Sequence, residues 1–130
     1  MPTRSQLRRW ITAALERDAI ITLRIVDAKE GRSLNRDYRK KDYATNVLTF
    51  AYGESAEGAL SGDIVLCAPA IAKEAREQRK DVKAHYAHLV IHGALHLQGY
   101  DHETNADAEI MERREVVLLA SMRIPNPYSV

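Results

Sequence analysis

An α+β fold is predicted, a single small domain of mixed sheet with surrounding helices, and three observations predict it. Three short runs rich in β-branched residues, AIITLRIV, NVLTFAY and SGDIVLC, alternate with and then give way to stretches of helical period. That order fits α+β, or a small α/β sheet covered by helices. The 130 residues suit one domain, residues 1–130, whose core needs no covalent staple. Hydrophobic residues are 45% of the chain and charged ones 28%, which excludes disorder as the general state.

The elements follow in order. Leu7, Trp10, Ile11, Ala14 and Leu15 recur at i, i+3, i+4, i+7 and i+8, predicting an amphipathic helix over 4–18 with Trp10 in the core. In residues 19–26, Ile21, Leu23 and Ile25 alternate with Thr22 and Arg24, a strand signature. Asp27 and Glu30 have capping-box spacing, so a short helix follows to about Tyr38, although Gly31 weakens it. NVLTFAY (46–52) is a second strand, GESAEG a turn, and SGDIVLC (61–67) a third strand. Pro69 suits the first turn of a helix over 69–80. Asp81 can cap a helix over 82–98 that Gly99 ends, and Thr104 a last helix to about Met122, with Pro125 and Pro127 beyond it.

Several classes are excluded on expectation. No run of 18 apolar residues exists, and the first ten residues lack the apolar stretch of a signal peptide. The single cysteine, Cys67, forbids an internal disulfide and fits a reducing, cytoplasmic setting; its apolar strand context predicts a buried, inert thiol. Net charge is only +1, but residues 1–45 carry +5, residues 46–100 carry −1 and residues 101–130 carry −3. The basic third can attract a polyanion, or simply line solvated helix faces.

All five histidines fall between positions 85 and 102. His92 and His96 are four apart on the predicted helix, about 400° of turn, so both imidazoles leave one face about 5–6 Å apart at Cβ. Both can reach one metal at about 2.0–2.1 Å. Gly99 lets the chain reverse and bring His102 over the same face. Three neutral imidazoles leave a fourth position open, the layout of a catalytic zinc site. His88 competes, since it is also four residues from His92, but the turn at Gly99 favours His102. His85 and His88 are expected to be ordinary helix residues or supports for the ligands.

The string H-E-x-x-H-x-x-G-x-x-H of metzincin peptidases offers a comparison. Here His92, His96, Gly99 and His102 are in register, while Gly93 stands where the peptidase's glutamate would be. The metal cage is present and the peptidase's proton acceptor is absent.

The stretch from His92 to His102, HGALHLQGYDH, resembles the H-G-x-L-H-L-x-G-Y-D-H signature of the YbeY family. The resemblance runs upstream through Leu34-Asn35, Tyr38-Arg39, Lys41-Asp42, Thr45–Phe50 and Gly62–Val65, and so covers roughly residues 20–120. It implies a metal-dependent endoribonuclease of ribosomal RNA maturation and ribosome quality control, acting on single-strand-type RNA. It also implies a mixed sheet of about four strands with the metal helix, carrying the histidine pair, in the middle. The expected cofactor is one zinc ion per chain, and the expected partners are ribosomal RNA and the ribosome or its subunit, with neither DNA nor a membrane. Asn46 replaces the aspartate of many relatives, Thr49 the usual serine and Ala51 the usual proline, so residue 46 is not expected to be catalytic.

Tyr38-Arg39-Lys40-Lys41 is a basic cluster, either a solvated helix end or a phosphate contact; the resemblance assigns Arg39 to catalysis. Asp63 reads as a turn acid or as a group orienting a metal-bound water. Asp101 and Glu103 flank a ligand and read as loop acids or as partners of an imidazole. Two rival functions stand beside the nuclease. One is a metallopeptidase-like hydrolase, which the spacing favours and Gly93 opposes. The other is a non-catalytic RNA- or ribosome-binding module with a structural metal, which an open fourth position opposes.

Overall fold

A computed structural model of the chain describes residues 1–39 and 45–129. Lys40, Lys41 and Asp42 lie outside the described residues. The elements are α1 (Arg4–Ala14), β1 (Ala19–Val26), α2 (Ala28–Arg39), β2 (Val47–Glu54), β3 (Leu60–Cys67), α3 (Ala68–Glu77), α4 (Val82–Leu97) and α5 (Asn105–Ser121). Among the described residues no helix is long and apolar enough to cross a membrane.

The sheet is mixed, with strand order β1-β3-β2. β1 runs parallel to β3, Ala19 opposite Leu60 through Val26 opposite Cys67. β2 is antiparallel to β3, Val47 opposite Leu66, with an irregularity between Ala51 and Gly53. Three strands are therefore seen among the described residues, where the family resemblance implied about four. The chain's own alternating runs number three, and each of them became a strand.

The two sheet faces are covered differently. On one, Val26, Leu48, Val65 and Cys67 pack with Leu34 of α2 and with Phe50. On the other, Ile64 and Leu66 meet α4 in the main core, joined by Leu7 and Trp10 of α1, Ile71 of α3 and Met111, Leu118 and Leu119 of α5. α4 touches α1, α3, α5, β2 and β3, so it is central, as expected. Ten of its sixteen residues are buried, which is why its apolar residues surround the axis instead of forming a stripe.

The caps explain most boundaries. The Asp81 carboxylate accepts from the Ala84 amide at 3.1 Å, and the Thr104 hydroxyl from the Asp107 amide at 3.0 Å. Asp27 accepts from the Glu30 amide at 2.8 Å, but Glu30 pairs with Arg24, so that box is half made. α1 stops at Ala14, four residues before the expected end. The Gln98 side chain donates to the Ala14 carbonyl at 2.8 Å and accepts from the Glu16 amide at 2.7 Å. A residue from the end of α4 thus satisfies the backbone groups that another turn of α1 would have used.

Candidate metal centre

The site is built on the C-terminal half of α4 and the turn after it. Gly99 has φ +103°, a conformation costly for any residue with a Cβ. Its amide donates to the His96 carbonyl at 3.1 Å and the Tyr100 amide to the Leu95 carbonyl at 3.2 Å, a complete Schellman turn. The chain then doubles back. The ring of His102 comes to 5.4 Å from that of His92 and 6.0 Å from that of His96, centroid to centroid. Imidazoles sharing one tetrahedral ion at about 2.0–2.1 Å would have centroids about 5 Å apart. The rings stand slightly wider than that.

The tautomers fit. His96 Nδ1 lies 3.1 Å from the carbonyl oxygen of Tyr100, which can only accept, so Nδ1 carries the proton and Nε2 keeps its lone pair. His92 Nδ1 lies 2.6 Å from Glu115 Oε2. Burial alone would raise the Glu115 carboxyl pKa, but donors from His88, His92 and Tyr128 outweigh it and hold the value at about 2. Glu115 is therefore an anion that accepts a hydrogen bond from Nδ1–H of His92. An acceptor on Nδ1 is the usual support of a metal-binding histidine, fixing ring and tautomer together.

His92, His96, His102 and Arg39 line one cleft of about 570 Å³, so the four residues expected to act are brought together. Arg39 ends α2; Thr45, just before β2, and Thr49, on β2, line the same cleft. Asp101 and Glu103 also line the cleft; the Asp101 carboxylate accepts from the His102 amide at 2.7 Å.

The remaining residues weighed in the sequence fall elsewhere. Asp63 accepts from the Tyr52 hydroxyl at 2.7 Å and pairs in register with Phe50, on the sheet face toward α2. That is the opposite side from α4, which removes it as an orienting group for water. Asn46 is the exception: it lines the cleft, while its side-chain amide donates to Glu74 at 2.9 Å, and Glu74 in turn pairs with His85 Nε2 at 2.8 Å, a half-buried link. Cys67 is a buried free thiol. Gly93 faces the sheet: a Cβ there would sit 3.3 Å from Thr49 Cγ2 and 3.4 Å from Ile64 Cγ2. The missing glutamate therefore has a packing reason.

Two residues were not singled out in the sequence, Glu115 and Tyr128. Glu115 is fully buried, and the signal was available: it sits on the apolar stripe of α5 with Met111, Leu118 and Leu119. A carboxylate at such a position must have partners. Among the described residues, the group whose ligand atoms all lie within 4.8 Å of one another, and which could hold a metal, is His88, His92 and Glu115.

The family model described as Endoribonuclease YbeY matches residues 3–123. The Endoribonuclease YbeY of Thiobacillus denitrificans is 60% identical over 128 residues, covering 98% of this chain and 87% of that protein. The protein of that name from Cupriavidus pinatubonensis is 57% identical over 128 residues, 98% of this chain but 64% of the relative. The solution structure of TM1509 from Thermotoga maritima matches with a TM-score of 0.56 at 27% identity, covering 98% of this chain and 89% of that one. With the family model matching residues 3–123 and a relative of that name 60% identical over 98% of the chain, the chain belongs to the YbeY family of endoribonucleases.

Proposed function

We propose that the protein is a metal-dependent endoribonuclease that cleaves single-strand-type segments of ribosomal RNA during ribosome maturation, in the cytoplasm. Residues 1–130 act as one domain, with His92, His96 and His102 holding one zinc ion and Arg39 contacting the phosphate to be cut. One observation carries this reading: three converging imidazoles, two with Nδ1 already committed, share a cleft with a guanidinium.

When bound, the ion supplies Lewis-acid polarisation of a phosphoryl oxygen and of water. Three imidazoles suit zinc, and hard oxygen-seeking ions less well. The chain's own residues do the rest. Glu115 and the Tyr100 carbonyl hold two ligands in the tautomer that presents Nε2. Arg39 matches two phosphate oxygens with its planar fork and neutralises the charge that grows on them in the transition state. Thr45 and Thr49 offer hydroxyl groups to ribose or phosphate along the cleft. The ribosome or its subunit is the partner that presents the RNA.

A peptidase reading has one observation in its favour. β2 is an edge strand among the described residues and lines the cleft, so an extended chain could pair with it. Against it stands Gly93, packed on the sheet where a proton acceptor would be needed. Incubating metal-defined protein with structured ribosomal RNA, beside the His96→Ala variant, decides. Cleavage by the first and not by the second is expected. Intact RNA with both, together with peptide hydrolysis lost in His96→Ala, would overturn the nuclease reading in favour of the peptidase.

A further inference from the structure

We propose that Tyr128, near the end of the chain, is a positioning residue of the metal centre, acting on His92 through Glu115. The inference rests on the reading of His92 as a ligand. Glu115 is fully buried on α5. Its Oε2 accepts from His92 Nδ1 at 2.6 Å. Its Oε1 accepts from the Tyr128 hydroxyl and faces His88 Nε2 at 3.3 Å. His88 Nε2 also stands 3.0 Å from the Tyr128 oxygen, so that oxygen gives one hydrogen bond and receives another. Tyr128 thereby closes a network of four side chains drawn from α4, α5 and the segment beyond α5.

A buried carboxylate is tolerated only when its lone pairs are matched by donors. Without the phenol, Oε1 would keep only the long contact from His88. The carboxylate would then rotate toward other donors, which loosens the imidazole of His92. The segment that delivers Tyr128 is anchored along its length. Ile124 packs on the main core, and its amide donates to the Leu119 carbonyl at 2.9 Å. The Lys80 ammonium donates to the Pro127 carbonyl at 2.9 Å. The Tyr128 ring meets that of His88 edge-on, with centroids 5.2 Å apart at 84°. A residue placed only to cover the core would not need its hydroxyl on a buried anion.

The test measures metal binding in the absence of RNA. Metal-free wild-type, Tyr128→Phe, Glu115→Gln, His92→Ala and His96→Ala proteins are titrated with Co²⁺, recording affinity and visible absorption, and their metal-free unfolding temperatures are compared. Loss of a partner behind a metal ligand commonly weakens metal binding about tenfold to a hundredfold. Glu115→Gln is expected in that range. Tyr128→Phe is expected to be weakened several-fold with an altered Co²⁺ spectrum, in a protein that still folds cooperatively. Wild-type affinity and spectrum in Tyr128→Phe would overturn the proposal, whatever its unfolding temperature. If His92→Ala also binds Co²⁺ normally, the ligand assignment fails instead. If Glu115→Gln abolishes Co²⁺ binding and His96→Ala leaves it intact, the ion sits among His88, His92 and Glu115; Glu115 is then a ligand and the positioning role is overturned.

Discussion

Arg39 is exposed, ends α2 and lines the cleft, yet no metal geometry requires it. Its proposed work is done in the transition state. Arg39→Ala should therefore cut single-turnover cleavage at saturating enzyme by about a hundredfold or more, with metal content and unfolding temperature unchanged. Arg39→Lys should recover only part, since an ammonium keeps the charge and loses the fork. Turnover within a few-fold of wild type in Arg39→Ala would return the residue to a solvated helix end. At this scale the sequence was legible where geometry is local. His92, His96, Gly99 and His102 lie within one helical turn and the loop that follows, so their spacing alone carried the convergence. Glu115 and Tyr128 reach the same centre through contacts distant in sequence, and periodicity along one helix does not report what a neighbouring helix presents.

Among the elements, α4 carries the site because it has room to be buried on nearly every side. Gly93 makes part of that room, letting the helix axis approach β2 and β3. Gly93→Glu restores the peptidase string in sequence but forces a carboxylate between helix and sheet. We expect a loss of about 2 kcal/mol or more, read as a lower midpoint in chemical denaturation, and no peptide hydrolysis. A well-folded variant that cleaves peptides would show that position 93 looks into the cleft. Strand runs and helix caps were readable because each depends on a few neighbouring residues, as with Asp81 and Thr104. The end of α1 was not, because the side chain that ends it, Gln98, comes from another helix.

For the whole molecule, the question is what the metal does for stability. The two proposed ligands on α4 stand on a helix packed against five other elements, and the turn at Gly99 closes through its own backbone bonds. The metal-free protein should thus keep its helical circular dichroism and unfold cooperatively. Its unfolding temperature should fall only by the linkage term, about 4 kcal/mol when free metal had stood at a thousand times its dissociation constant. Collapse of the dichroism on chelation would mark the ion as structural and favour the binding-module reading. The charge gradient belongs to this scale as well. The basic first third carries Arg39 to the cleft, while the acidic segment 101–130 supplies α5 and Glu115. Composition showed that asymmetry, but where the two ends meet is a matter of tertiary packing.

The place of β3 between a parallel and an antiparallel neighbour has a consequence for how the chain folds. β2 and β3 are joined by a short turn, closed by the Ser55 amide on the Ala59 carbonyl at 2.9 Å, so their pairing is a local event. β1 must wait for a strand that follows the whole of α2 and β2, and closing that longer loop costs more chain entropy. The order of assembly expected from loop closure is therefore not the order of synthesis. The hairpin is expected to form first and β1 to dock on its exposed edge later, bringing α1 against α4. Until then the segment that becomes β1 carries unpaired backbone and exposed isoleucines. That interval is the stage at which a nascent chain of this kind is most open to pairing with a wrong partner.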